Sequence, residues 1–335
     1  MRMIFELVAA VLLFALSAHA AGELDIRSEV AGTMNGISNL VDDSFVWNAQ
    51  NFPGFYYDPK KDIGTEQLTV SITDGNDLSE DSPYGIVYAT KASQSSFKQS
   101  EFGSYDFIGF LGEKYFAGYV NDTGLSEWMQ IPLMRSDDPN SLDRSQLQRI
   151  LIDDNSEYVV MQGKPLLLQE GYQLGFRAID NRYHRVDLQL QKDGVVVDSS
   201  SAYPSKDGAT YSDKTYIYRK DLGNQKGLVT IAVHIKNAYN DTENAAITVD
   251  GIWQISDEST AVEKETKFGR MTVAEVDAMA KTITMNNAGQ HIALLKNSDV
   301  TLMGDIHLKT ADNDALRLYL CRQVTQPGTY DIRGS

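Results

Sequence analysis

The segment Val229–Ile255, VTIAVHIKNAYNDTENAAITVDGIWQI, decides the fold class of this 335-residue chain. Apolar and polar residues alternate in its two halves, at Val229, Ile231, Val233 and Ile235 and then at Ile247, Val249, Trp253 and Ile255. A period of two places the apolar side chains on one face of a β-strand. The polar stretch Asn237–Asn244 between the halves predicts a loop. The segment therefore predicts two half-buried strands, with Trp253 inside the protein.

The same alternation recurs along the chain, at Leu68–Ile72, Leu174–Ala178, Val186–Leu190 and Leu316–Leu320. Tyr105–Leu111 is apolar at both parities, which predicts a strand covered on both faces. Lys192-Asp193-Gly194 predicts a hairpin turn in which Gly194 supplies the positive φ. The sequence therefore predicts an all-β fold of two linked β-sandwich subdomains, mostly antiparallel, with little helix.

Two short stretches carry helix signals. Ser141–Ile152 has leucines and isoleucines with Asp143 near its start, and Thr272–Thr282 contains good helix formers such as Ala274 and Glu275. We expect a helix in both, although the second stretch also alternates and leaves a strand open.

The N-terminus has the pattern of a secretory signal peptide. Residues 1–20 place Arg2 before the apolar run Leu7–Leu16 and end in the small-residue cleavage site Ala18-His19-Ala20. We expect cleavage between Ala20 and Ala21, and a retained N-terminal anchor is the alternative. No second apolar run of membrane length follows, so we expect no membrane anchor of the chain's own.

The remaining chain divides into three predicted parts. Residues 21–157 form the N-terminal part of the first β-sandwich subdomain, and residues 158–256 form the second subdomain. Residues 257–335 are predicted to be a connector, Asp257–Lys267, followed by C-terminal strands that return to the first subdomain, because this tail is too short to be a sandwich alone.

The formal charge of −16 argues against binding to nucleic acid or to anionic membrane surfaces. Cys321 is the only cysteine, so no internal disulfide can form, and we expect it to be a buried small apolar side chain. A reactive thiol is the alternative. A secreted protein without disulfides must depend on a large core or on assembly.

Motifs of catalysis are absent from the sequence: there is no G-x-S-x-G, P-loop or H-E-x-x-H. The histidines after residue 20 are far apart, and alternation predicts that His234 and His307 face solvent. We therefore expect no enzyme activity and no cofactor.

Two kinds of side chain leave a binding role open. Loosely bound calcium is the alternative to plain turns at Asp42-Asp43, Asp153-Asp154 and Asp312-Asn313-Asp314, whose spacing does not match an EF-hand. A sugar-binding platform is the alternative to core packing for Trp47, Trp128 and Trp253.

Two N-glycosylation sequons follow predicted strands, at Asn121-Asp122-Thr123 and Asn240-Asp241-Thr242. Since the chain is predicted to be exported and both loops are polar, we expect glycans on Asn121 and Asn240.

Several long blocks resemble the duplicated domain of the Methanosarcina-type surface-layer (S-layer) family of archaea. They are RSEVAGTMNGISNLVDDSFVWNAQNFPGFYY from Arg27, GSYDFIGFLGEKYFAGYV from Gly103, LLLQEGYQLGFRAID from Leu166 and VTLMGDIHLKTADNDALRLYLCR from Val300. The resemblance covers one such domain, whereas family members usually carry two, then a tether and a membrane segment. Cys321 stands where the family pattern has a proline.

The resemblance implies an acidic, glycosylated structural protein of the archaeal cell envelope, located at the extracellular cell surface. Its partners would be copies of itself or related S-layer subunits, in a porous protective lattice that sieves by size and charge. The alternative is a secreted carbohydrate- or surface-binding β-sandwich module outside the lattice.

Overall fold

The computed structural model describes residues 24–34, 37–73, 76–120, 134, 140–241 and 245–324. These residues form 28 strands and three short 3-10 helices, Ser100–Phe102, Ser141–Arg144 and Ser212–Lys214, so the predicted all-β class is confirmed. No helix in these ranges has the length and apolar character needed to cross a membrane. The strands are β1 (Leu24–Arg27), β2 (Ala31–Met34), β3 (Ile37–Ser38), β4 (Ser44–Asn48), β5 (Tyr57–Asp58), β6 (Ile63–Gly64), β7 (Glu66–Ser71), β8 (Asp77–Leu78), β9 (Ile86–Lys91), β10 (Ser93–Ser96), β11 (Ser104–Phe110), β12 (Glu113–Val120), β13 (Gln146–Asp154), β14 (Tyr158–Met161), β15 (Leu166–Leu167), β16 (Tyr172–Asp180), β17 (Arg185–Lys192), β18 (Val195–Ala202), β19 (Thr215–Leu222), β20 (Gln225–Asn240), β21 (Ala245–Ala261), β22 (Lys267–Phe268), β23 (Met271–Asp277), β24 (Thr282–Asn286), β25 (Ile292–Ala293), β26 (Asp299–Met303), β27 (Ile306–Thr310) and β28 (Arg317–Val324).

One sandwich combines strands from both ends of the chain. One of its sheets has the order β22-β23-β24-β9-β7-β4, and the other has the order β26-β27-β28-β2-β3, with β1 also paired to β28. Leu68, Tyr88 and Met285 from the first sheet share one buried core with Leu308 and Leu320 from the second. Burial of this apolar surface stabilises the pairing of distant segments.

A second sandwich forms in the middle of the chain. The four-stranded sheet β15-β16-β17-β18 packs on strands β14, β19, β20 and β21. Leu174 and Leu190 from the first sheet meet Ile231, Val233 and Val249 from the second in a separate core. These are side chains that the sequence pattern assigns to inward faces.

An eight-stranded sheet, called the central sheet below, connects the two sandwiches; its order is β10-β11-β12-β13-β21-β20-β19, and β14 also pairs with β21. Every residue of β20 from Leu228 to Ile235 is buried, so this strand is covered on both faces. Ile231, Val233 and Ile235 face the second core, whereas Ala232 joins a third, aromatic core that contains Trp253. Trp253 is fully buried, as predicted.

Both helix predictions are wrong. Ser141–Arg144 makes a single 3-10 turn, and Gln146–Asp154 then forms β13, paired with β21. Met271–Asp277 is a strand paired with β24, as the alternation in this stretch had left open. Pairing with the distant strand β21 overrides local helix propensity in the first stretch, and hairpin pairing with β24 overrides it in the second.

Other local predictions hold. Asp193 and Gly194 have φ of 51° and 81° in the turn between β17 and β18, β11 is buried on both faces, and Cys321 is buried. The predicted loop Asn237–Asn244 is shorter than expected because β20 continues to Asn240. The predicted boundary at residue 256 falls inside β21, which runs to Ala261. The division into subdomains stays a prediction.

Candidate functional site

The sequon asparagine Asn240 ends β20 and pairs with Ala245 of β21. Its half-buried side chain donates a hydrogen bond from Nδ2 to the Ile179 carbonyl over 2.8 Å. The Asn181 side chain donates in turn to the Asn240 carbonyl over 2.9 Å. A glycan would replace one of the two Nδ2 hydrogens, and the other can keep the bond to Ile179. The geometry is therefore compatible with modification. Asn121, Ala20 and Ala21 lie outside the described residues.

An apolar surface lies beside Asn240. Met161, Ala246 and Tyr239 are neighbours across β14, β21 and β20, and the side chains of Met161 and Tyr239 are 50% and 59% exposed. They line an open groove of about 550 Å³ together with Gln162, Gly163, Lys164 and Ala245. This surface offers apolar contact area next to a predicted glycan.

The prediction that His234 faces solvent is wrong. Its side chain on β20 is 7% exposed and places Nδ1 2.5 Å from Oδ1 of Asp250 on the neighbouring β21. Its ring stacks on Tyr211 with 4.1 Å between centroids. The alternation failed here because β20 is covered on both faces, so opposite parity does not mean solvent.

His307 is half-buried on the face opposite the buried Ile306 and Leu308, with Nδ1 2.7 Å from Oδ1 of Asp299. Among the residues that the structure describes, no three His, Cys, Asp or Glu side chains group as metal ligands would.

Two of the candidate calcium carboxylates, Asp153 and Asp154, have protein partners. Asp153 accepts hydrogen bonds from the Lys98 amide and the Tyr105 hydroxyl over 3.0 and 3.1 Å. The Tyr158 hydroxyl donates to Asp154 and lowers the pKa of that carboxyl. Asp42 and Asp43 both have positive φ in the turn before β4. Weak calcium binding stays a prediction.

The sugar-platform alternative is wrong for two of the three tryptophans. Trp47 and Trp253 are fully buried, so neither ring can stack on a sugar. Trp128 lies outside the described residues.

A buried carboxylate that the sequence analysis missed joins the first sandwich to the central sheet. Glu66 is 2% exposed, and its two oxygens accept hydrogen bonds from the Tyr56 amide, the Gly112 amide and the Tyr88 hydroxyl over 2.7 to 2.9 Å. Burial outweighs these donors and raises the pKa of Glu66 to about 7. The available signal was its parity, since Glu66 shares a face with Leu68 of β7.

Arg322 on β28 completes this connection. Its guanidinium donates to Asp305 and Glu113 over 2.8 Å each, and to the carbonyls of Gly54 and Gly112. The guanidinium therefore ties one sheet of the first sandwich to the turn between β11 and β12, and so holds the sandwich against the central sheet.

The comparisons with known proteins agree with the resemblance seen in the sequence. The family model for S-layer proteins matches residues 37–312. The chain is 27% identical to the major S-layer protein of Methanosarcina barkeri over 329 residues, and 27% identical to that of Methanosarcina mazei over 336 residues. Each alignment covers 96% of this chain and 45% of the relative, so the chain spans about half the length of the curated relatives it matches. Because the family match extends from β3 into the turn after β27, the chain belongs to the S-layer protein family.

Proposed function

We propose that this protein is a structural subunit of an extracellular surface layer, and that copies of it or related subunits pack side by side into a porous sheet. The single observation that carries the proposal is the family match over residues 37–312, which includes the second sandwich, the central sheet and every strand of the first sandwich except β1, β2 and β28. The relatives named above are major S-layer proteins.

The architecture suits a building block. The long hairpin of β20 and β21 contributes side chains to the second and third cores, and β13 ties it to the strands that carry the first core. A subunit held together by shared strands keeps its shape when its neighbours pull on it. Rigid subunits are what a regular array requires.

The proposal assigns the chain no catalytic role and no cofactor. The His234–Asp250 pair would be the candidate acid–base group, but the His234 side chain is only 7% exposed, with the aromatic ring of Tyr211 stacked on the imidazole. A substrate has no access to that imidazole.

A layer of such subunits would act as a charge sieve. With a formal charge of −16 per chain, carboxylates would line the openings, repel anions and concentrate cations. Salt well above about 0.1 M would weaken this selectivity, because the Debye length then falls below about 10 Å.

The test is electron microscopy of the purified protein with and without calcium, followed by passage of size-matched anionic and cationic dyes through the sheets. We expect ordered sheets that exclude the anionic dye at low salt. A protein that stays monomeric in every condition and binds glycans would support the carbohydrate-binding alternative, which the burial of Trp47 and Trp253 does not favour. Equal passage of both dyes through intact sheets would contradict the charge selectivity and support a layer with a purely mechanical role.

Export and modification belong to the same proposal. We propose that the signal peptide is removed between Ala20 and Ala21 and that glycans are attached at Asn121 and Asn240. N-terminal sequencing of protein from the native host is expected to begin at Ala21, and a chain that begins at Met1 would contradict the cleavage.

A further inference from the structure

Strand β18 leaves one side of its backbone unpaired at the edge of the second sandwich. It is the last strand of the sheet β15-β16-β17-β18, and only β17 pairs with it among the described strands. Its eight residues, VVVDSSSA, are exposed except for Asp198, which is half-buried, and Ala202. Val195, Val196 and Val197 are 66%, 47% and 42% exposed. A long exposed edge with apolar side chains is a template for pairing with another chain.

The other long edge strand of this sandwich is protected more strongly than β18. Strand β19 ends the opposing sheet, and it carries Arg219 and Lys220 and two register shifts against β20. Charged side chains and bulges on an edge block pairing with other strands. Strand β18 contains no lysine, arginine or proline, and its single charged residue is Asp198. The Asp198 carboxylate accepts a hydrogen bond from the Tyr216 hydroxyl over 2.6 Å, so it is directed toward the opposing sheet.

The amides available for pairing can be identified. The Tyr203 amide, just after β18, donates to the Asp213 carbonyl over 2.7 Å and so points away from β17. Successive amides of an extended strand point to opposite sides. The amides of Ser199 and Ser201 therefore also point away from β17. The register between β17 and β18 is regular from Asp198 to Ala202, and the one irregularity lies at Val197.

We propose that β18 pairs antiparallel with β18 of a second copy of this chain, with the two Ser200 residues opposite each other. Ser199 then faces Ser201 of the second copy, which gives four hydrogen bonds from the outward amides. Asp198 faces Ala202, so no like charges meet. This matters because two chains of formal charge −16 repel each other elsewhere.

The pairing is confined to Asp198–Ala202, because the outward Tyr203 amide already donates to the Asp213 carbonyl and the register is irregular at Val197. An interface with the same patch on both subunits closes as a two-fold dimer. Such a dimer supplies one of the contacts that the proposed layer needs, so this inference rests on the proposed function.

The first experiment replaces Ser199 with proline, which removes an outward amide and leaves the ladder with β17 intact, and compares it with Ser199→Ala, which keeps the amide. Association is measured by analytical ultracentrifugation, sheet formation by electron microscopy, and folding by circular dichroism. We expect Ser199→Pro to weaken dimer formation at least tenfold and to lose ordered sheets, and Ser199→Ala to behave as the wild type. If Ser199→Pro does not fold, Ser199→Lys provides the same test by placing a charge on the edge.

The second experiment reports the register. Directly opposed residues of a non-hydrogen-bonded pair have Cα atoms about 4.5 Å apart, which is within disulfide reach. Ser200→Cys is expected to cross-link into dimers under mild oxidation. Ser205→Cys, exposed in the turn after β18, is the matched control and is expected to stay monomeric under the same treatment, like the wild type with its buried Cys321.

Two results separate the inference from the proposed function. Sheets and dimers of Ser199→Pro that match the wild type would overturn the role of β18 and leave the proposed function standing. A wild-type protein that forms neither dimers nor sheets would overturn both.

Discussion

Replacing Trp253 with alanine tests the aromatic core, whose buried strand residues come from the central sheet. The Trp253 ring is fully buried and contacts Phe97, Tyr105 and Phe116, with centroids 4.8, 4.9 and 5.9 Å away. A buried tryptophan removes about 150–250 Å² from water, which at about 25 cal/mol per Å² is worth roughly 4–6 kcal/mol. Partial collapse of the cavity recovers some of this, so we expect a loss of about 3–5 kcal/mol.

The hydrogen bond that Trp253→Ala removes adds little to the loss of stability. Trp253 Nε1 donates to the Tyr119 hydroxyl over 3.3 Å, but that hydroxyl keeps its own bond to the Val229 carbonyl at 2.6 Å. The cost therefore reports packing, and it is measured from urea unfolding followed by circular dichroism. Tyr183→Ala, at a side chain 58% exposed, is the control and is expected to change the free energy of unfolding by less than about 0.5 kcal/mol. A loss below about 1 kcal/mol for Trp253→Ala would refute the reasoning.

Three further predictions follow from other contacts. Burial raises the pKa of Glu66 from 4.5 to about 7, so its contribution to the free energy of unfolding is complete below about pH 4.5 and is lost as the pH rises through 7. Urea unfolding from pH 4 to 8 is expected to show this loss, of about 3 kcal/mol. The loss is expected to be absent in Glu66→Gln. Gly32→Ala would place its Cβ 2.1 Å from the Leu316 carbonyl oxygen at a φ of +120°, and is expected to cost more in thermal unfolding than Gly163→Ala, whose positive φ lies in open space. Glycopeptide mass spectrometry of native protein is expected to find a glycan on Asn240, and an unmodified asparagine throughout would contradict this.

The sequence predicted the strands because the apolar face of each strand shows as a local alternation of apolar and polar residues. It did not predict that the second face of β20 is buried as well, because the residues Thr230 and His234 on that face are polar. Their burial depends on which distant segments cover that face. The helix predicted at Ser141–Ile152 failed for the same reason, since Leu147 lies opposite Thr260 of β21 and local propensity says nothing of that partner.

For the surface features too, the sequence predicted what is local and missed what depends on distant segments. The sequon at Asn240 is a local motif that the sequence shows directly, but the prediction that Asn240 lies in a loop was wrong, because β20 continues to Asn240. The edge position of β18 could not, since an edge is defined by the absence of a neighbour, and VVVDSSSA has no marker of which strand lies beside it. In the sequence, Glu66 showed only as a polar residue at a position that the alternation assigns to the apolar face of β7.

The long hairpin of β20 and β21 has a mechanical consequence. Its strands of 16 and 17 residues extend about 50 Å at about 3.3 Å per residue. Tension applied along them loads the ladder of hydrogen bonds in shear, so many bonds must fail together. Tension across the strands would break the hydrogen bonds of the ladder one after another. A sheet built from this protein is therefore expected to resist stretching more strongly along the direction of this hairpin than across it.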